Sequence, residues 1–183
     1  MTLHPTPLHG LWAIHTEPRA DERGRLTRLF CAKEMILVRD GLHFVQSNLS
    51  RTLQKGAIRG LHFQRGPALD AKLIRCLRGR VFDVAVDLRA GSPTFGQWHA
   101  IELSDDNESQ VFIPEGFAHG FQALTDDVEL LYQHTAAYSP MSESGLKFDD
   151  PTLAIAWPLP VTQVSERDAA MPGLTASFEK VIT

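Results

Sequence analysis

Gln110-Val111-Phe112-Ile113-Pro114-Glu115-Gly116-Phe117-Ala118-His119-Gly120-Phe121 carries the rhythm of the whole chain. A short apolar run meets a Pro-Glu-Gly break, and a second run, Phe117 to Leu124, stops at Thr125-Asp126-Asp127. Proline cannot donate to a strand ladder and glycine turns readily, so the stretch reads as strand, turn, strand. The pattern repeats outward. Arg80 to Leu88 sets Phe82, Val84, Val86 and Leu88 on one face by the two-residue period and ends at Gly91-Ser92-Pro93. Ala57 to Gln64 ends at Gly66-Pro67, and Ala71 to Leu77 at Gly79. Trp98 to Leu103 runs into Ser104-Asp105-Asp106-Asn107, and Val128 to Thr135 stops before Tyr138-Ser139-Pro140.

Toward the N-terminus, Leu11 to Glu17 and Arg25 to Phe30 read as strands around the polar turn Asp21-Glu22-Arg23-Gly24. His43-Phe44-Val45-Gln46-Ser47-Asn48 reads as another, ending in amides. Ala32 to Val38 has helix formers and stops before Asp40-Gly41, a usual helix end. The tail from Thr162 reads as a short helix or an extended segment. Short strands without long helical patterns between them predict an all-β sandwich or barrel with a few short peripheral helices. At 183 residues the chain is expected to form one domain, 1–183, with a real core.

Hydrophobic content of 43% and charged content of 22% are those of an ordinary soluble globular protein. A formal charge of -4 argues against nucleic acid as the main partner, because phosphate binding wants a basic surplus. It leaves room for one anionic small molecule held by local arginines and lysines. Cys31 and Cys76 lack metal-ligand spacing and read as reduced thiols. No apolar run approaches the ~20 residues of a membrane span, and Met1-Thr2-Leu3-His4-Pro5 does not open a signal peptide. The expectation is a cytoplasmic protein.

Chemistry is suggested by Gly56-Ala57-Ile58-Arg59-Gly60-Leu61-His62-Phe63-Gln64, which places a cation, an imidazole and an amide in a glycine-punctuated apolar strand. Imidazole titrates near neutrality, so an inward His62 suits removal of a C–H proton activated by a carbonyl. Such a reaction also needs a cation for the enolate oxygen, a carboxylate to orient the base, and an acid on the other face if configuration inverts. Lys72 interrupts the apolar Ala71-Lys72-Leu73-Ile74. Asp83 lies inside Val81-Phe82-Asp83-Val84, where an unpaired carboxylate is costly. Tyr132 and His134 share a face of their strand. Each also has an ordinary structural reading, and Asp168 in the polar tail reads by itself as a surface residue. Strict alternation sets Arg59 and His62 on opposite faces. Gly60 is where a bulge would bring them together. Spacing alone stops at a β-barrel with a candidate acid/base pocket.

The turn Pro114-x-Gly116-x-x-His119 resembles the second motif of cupins, double-stranded jelly-roll barrels, and His62 falls where their first motif lies. A metal-binding cupin carries His-x-His there, followed by a Glu. Here the place reads His62-Phe63-Gln64, so no metal is predicted. Longer segments resemble the dTDP-4-dehydrorhamnose 3,5-epimerase family: Arg59 to Gln64, Lys72 to Cys76, Val81 to Arg89, Ser92 to Gly96, Ile113 to Phe121 and Tyr138-Ser139-Pro140. The likeness runs from about Asp21 to Pro172 with the motifs in order. It implies a cupin-like jelly-roll homodimer that needs no metal or organic cofactor and takes a nucleotide sugar. It implies that His62 is the base acting beside the C4 ketone of dTDP-4-keto-6-deoxyglucose and that Asp168 orients it. Tyr132 would return a proton from the opposite face and Lys72 would stabilise the enolate. His119 and Asp83 match pocket positions. Arg23, Gln46, Asn48, Arg59, Glu143 and Arg167 match positions that hold the nucleotide diphosphate and sugar, and Tyr138 an aromatic near the thymine.

The departures bear on substrate. Arg28 stands where the family pattern has a substrate-contacting carboxylate, a reversal of local charge. Asp70 stands where a Gln is common, and Gln133-His134 follows Tyr132 where a Lys often does. Two further readings stay open: an epimerase acting at one centre of a variant sugar, and a sugar-nucleotide-binding cupin without catalysis.

Overall fold

The computed structural model describes residues 1–183. The early strands are β1 (Thr2–Pro5), β2 (Trp12–His15), β3 (Arg19–Asp21), β4 (Gly24–Leu26) and β5 (Gln46–Thr52). Next come β6 (Ile58–Gln64), β7 (Lys72–Arg78), β8 (Arg80–Asp87) and β9 (Trp98–Ser104). The last are β10 (Ser109–Ile113), β11 (Phe117–Ala123), β12 (Val128–His134) and β13 (Glu143–Gly145), before the short helix α1 (Glu166–Ala169). Two antiparallel sheets form a jelly roll. One has the order β1-β2-β10-β7-β12-β5, the other β13-β6-β11-β8-β9, and β3-β4 is a separate hairpin.

Alternation along each strand builds three apolar layers. Ile74, Cys76, Val111, Ile113 and Leu130 of the larger sheet meet Val81, Ala85, Leu103, Phe117 and Phe121 of the smaller one in the central core. Full burial of such side chains is worth about 1.5–3 kcal/mol each. Phe82, Val84, Val86 and Leu88 face outward together, as the sequence predicts, and the C-terminal Leu146, Leu153, Trp157 and Phe178 cover them. The outer face of the larger sheet is covered by Phe30, Met35, Leu42 and Phe44.

Three expectations need correction. The helix expected over Ala32 to Val38 is a single 3-10 turn, Met35–Leu37. Met35 is buried, but Ile36 and Leu37 are exposed, so no second apolar turn exists to stabilise a longer helix. The strand expected over Arg25 to Phe30 ends at Leu26, in a hairpin whose six residues are all exposed. The strand expected over His43 to Asn48 begins at Gln46 and extends to Thr52, because β12 pairs with it from His134↔Gln46 to Val128↔Thr52. β1 has no apolar alternation and is held by β2 alone.

Two local devices position the site. Asp87 ends β8 by accepting hydrogen bonds from Arg89, Ser92 and Thr94. Burial opposes its ionisation, but those donors hold the carboxyl down at about 2, which explains the Asp87-Leu88-Arg89 to Ser92-Pro93-Thr94 motif as a structural turn. The other device is at Gly60. The β11–β6 register shifts between His119 and Phe121, the irregularity anticipated at Gly60. Gly60 has φ +113, and a Cβ there would lie 2.5 Å from the Cα of Gly120 and 2.6 Å from the carbonyl oxygen of His119. Backbone cannot yield as a flexible side chain would. Gly60→Ala is therefore expected to destabilise the fold by about 3 kcal/mol. A urea midpoint equal to wild type would refute this.

Candidate active site

The shift at Gly60 brings Arg59 and His62 to one cavity of about 280 Å³ between the two sheets. Its walls come from β5 (Gln46, Asn48), β6 (Arg59, His62), β7 (Lys72), β11 (His119) and β12 (Tyr132, His134), with Tyr138 and Glu143 at one side. A groove of about 600 Å³ adjoins it, sharing Arg59 and His62 and reaching Arg167 and Asp168.

His62 and Asp168 meet although 106 residues separate them, with Nε2 2.9 Å from Oδ1. The other carboxylate oxygen, Oδ2, accepts the Gly60 N–H at 3.0 Å. The Asp168 N–H donates to Ser165 Oγ, the cap of α1. A buried carboxylate beside the ring accepts a hydrogen bond from Nε2–H, so the neutral imidazole keeps its lone pair on Nδ1. Burial opposes ionisation of Asp168, but the bonds from His62 and Gly60 hold its carboxyl at about 2. The His62 side chain remains 33% exposed.

Tyr132 faces the cavity from the other sheet. Its ring lies edge-on to His119 at 5.9 Å and stacked with His134 at 6.0 Å. Burial, with the charge of Asp83 added, raises its hydroxyl above the usual phenol range, so the group stays protonated. Asp83 is paired with His119 at 2.8 Å, and both are sealed from solvent. This satisfies the carboxylate that the sequence marked as costly.

Lys72 is buried with its Nζ 3.3 Å from Asp70 Oδ2. Arg59 is held at the cavity edge by Nε–H to Thr52 Oγ1 at 2.9 Å and by a bond to the Arg51 carbonyl. Gln46 and Asn48 bond each other on β5. Glu143 accepts from the Tyr138 hydroxyl at 2.8 Å and from Arg167 at 2.6 Å. Burial raises the Glu143 carboxyl, yet these two donors outweigh it and keep it low. Arg23 and Arg28 do not line the cavity. Arg23 is 85% exposed and paired with Asp21, and Arg28 is paired with Glu34. No three His, Cys, Asp or Glu side chains converge as a metal centre would need. No helix is long and apolar enough to cross a membrane.

Two cavity residues were not singled out as site residues from the sequence. In the sequence Asp70 stands out only as a departure from the family pattern, and His134 as such a departure and as sharing a strand face with Tyr132, yet the two contact each other at 2.8 Å. The available signal was an acid in the apolar run Leu69-Asp70-Ala71, next to Lys72.

Comparison with known proteins shows similarity over most of the chain. The family model described as dTDP-4-dehydrorhamnose 3,5-epimerase matches residues 5–176. The dTDP-4-dehydrorhamnose 3,5-epimerase of Sinorhizobium fredii is 46% identical over 155 residues, 84% of this chain and 80% of that one. The dTDP-4-dehydrorhamnose 3-epimerase of Streptomyces niveus is 40% identical over 169 residues, 92% of this chain and 81% of that one. Among solved structures, the dTDP-6-deoxy-D-glucose-3,5-epimerase of Legionella pneumophila in complex with dTDP-4-keto-L-rhamnose superposes with a TM-score of 0.89 at 44% identity, covering 94% of this chain and 92% of that one. The chain described here belongs to the dTDP-4-dehydrorhamnose 3,5-epimerase family.

Proposed function

We propose that the protein epimerises C3 and C5 of dTDP-4-keto-6-deoxyglucose to give dTDP-4-keto-L-rhamnose. One observation carries the reading: a basic nitrogen and a protonated phenol face one cavity from opposite sheets, His62 on β6 and Tyr132 on β12. Inversion requires removal of a proton from one face of a carbon and delivery to the other, and two opposed groups suit it.

In this mechanism His62 Nδ1 takes the proton beside the C4 ketone. The C–H electron pair moves into the enolate, whose oxygen gains negative charge, and the Lys72 ammonium stabilises it. The Tyr132 O–H then protonates the carbon from the opposite side, and solvent returns the protons to resting positions between turnovers. Asp168 holds the His62 tautomer and the imidazolium that forms. Gln46, Asn48, Arg59, Tyr138, Glu143 and Arg167 surround the mouth with donors and charge suited to a sugar diphosphate. No step requires a metal or organic cofactor.

We further propose a homodimer. The terminal strand β5 leaves one edge unpaired, and Leu49 on it and Leu53 just past its end are exposed, a combination that favours pairing with a second copy. A reading at one centre is kept for a specific reason, the likeness to the Streptomyces niveus 3-epimerase.

Incubation with dTDP-4-keto-6-deoxyglucose in D2O, followed by NMR, is expected to show exchange at both C3–H and C5–H. His62→Ala should slow it by about a thousandfold or more. Tyr132→Phe should still exchange a substrate proton but invert poorly. Exchange at C3 alone would select the single-centre reading, and exchange at neither would sink both. Asp168 makes a separate prediction about stability. Its folded-state carboxyl sits near 2 against 3.8 for an unperturbed group, so its contribution is full above pH 4 and fades as the pH falls toward 2. The urea midpoint of wild type should therefore fall more steeply across that window than that of Asp168→Asn. Parallel slopes would contradict the assignment.

A further inference from the structure

The cavity contains a hydrogen-bond chain with its direction set at both ends by backbone. The Tyr138 N–H donates to Gln46 Oε1 at 2.9 Å, so the Gln46 amide must turn its nitrogen toward Asn48. Gln46 Nε2 donates to Asn48 Oδ1 at 3.2 Å, which turns the Asn48 nitrogen toward His134, 3.3 Å from Nε2. A nitrogen that receives an amide donor must present a lone pair, so the neutral His134 ring carries its proton on Nδ1. That Nδ1 lies 2.8 Å from Asp70 Oδ2. The second Asp70 oxygen accepts the Ala136 N–H at 3.3 Å. The segment before β7 is tied to the end of β12 by reciprocal bonds between Ala71 and Thr135.

The chain ends on Lys72, whose Nζ shares the same Asp70 oxygen at 3.3 Å. Lys72 and His134 are direct partners across β7 and β12. Burial works against ionisation of Asp70, yet the bond from His134 and the charge of Lys72 hold its carboxyl below the usual range. A lysine has a long, flexible stem, and an ammonium without a fixed partner samples several positions. Here a nearly sealed carboxylate restricts it, and that carboxylate is itself restricted by a ring and a backbone amide.

We propose that Asp70 and His134 are a positioning pair: His134, locked as the Nδ1–H tautomer, fixes Asp70, and Asp70 fixes the Lys72 ammonium within the cavity. The proposal rests on the reading of Lys72 as the group that stabilises the enolate. Asp70 and His134 act through Lys72, so their loss should be felt in kcat more than in KM.

The test follows C3–H exchange of dTDP-4-keto-6-deoxyglucose, which registers slow variants, for Asp70→Asn alone and combined with Lys72→Gln. Asp70→Asn is expected to lower kcat by about tenfold to a hundredfold with KM within about twofold. In the Lys72→Gln background the same change should cost less than about threefold, because the group it positions is gone. Equal losses in the two backgrounds, or a loss confined to KM, would overturn the proposal. His134 gives a second route that spares Asp70. In His134→Asn the amide nitrogen overlays Nδ1 and keeps the donor to Asp70, whereas in His134→Gln it overlays Nε2 and loses that donor. The Asn variant should recover most of the kcat lost by the Gln variant, and the reverse order would overturn the pair. The 15N spectrum of His134, read without substrate, should show a ring protonated at Nδ1. A ring protonated at Nε2 overturns the lock whatever the substrate proves to be. Absent turnover with an Nδ1–H ring counts against the proposed function alone.

Discussion

Asp168 divides its two oxygens between an imidazole and a backbone amide, and the geometry of the cavity depends on that division. The Gly60 N–H fixes the carboxylate to the same strand that carries His62. The ring is therefore oriented relative to its own backbone rather than to a mobile tail. Gly60 makes this possible in a second way, since only a residue without Cβ fits against Gly120 where the strand shifts register. The same shift brings Arg59 to the cavity that His62 lines. A backbone irregularity and a donor, both at Gly60, and the Arg59 cation thus come from two adjacent residues of one strand.

Strands β6 to β12 are legible because apolar runs, turn residues and the two-residue period agree there. What is not legible is held by tertiary contact. β1 is paired with β2 and shows no apolar face of its own, and the β3-β4 hairpin is exposed throughout. The C-terminal segment is mostly irregular, yet Leu153, Leu174 and Val181 are buried against the smaller sheet. No periodicity announces a segment that packs by single side chains.

The site follows the same rule. His62, Lys72, Asp83 and Tyr132 stand out in the sequence because each is a polar group in an apolar strand, and burying such groups has to be offset. Asp168 does not stand out, since its neighbours are Glu166 and Arg167 and its partner is distant in the chain. Only resemblance to a family singled it out. Asp70 and His134 show the converse limit. Each was visible as an oddity, but their relation appears only when β7 and β12 are aligned.

Three aspartate–histidine pairs surround one cavity, and burial separates their capacities. His119 with Asp83 is the most enclosed pair, at 6% and 1% exposure, and its Nε2 is bound to the carboxylate. His134 with Asp70 is only slightly more open, and both nitrogens of its ring already have protein partners. His62 alone combines a buried carboxylate with a ring one-third exposed and a nitrogen left without a protein partner. A base must be oriented and must also have a vacant lone pair within reach of substrate. By that criterion the three histidines are not interchangeable, although each has an acid beside it. In the proposed mechanism His62 is therefore the one histidine of the three that exchanges a proton with the ligand, while the other two pairs hold Tyr132, the acid of the opposite wall, between them by ring contacts on both sides. Rigidity at the phenol and access at the imidazole are thus separate consequences of the same side-chain pairing, set by how deeply each pair lies in the barrel.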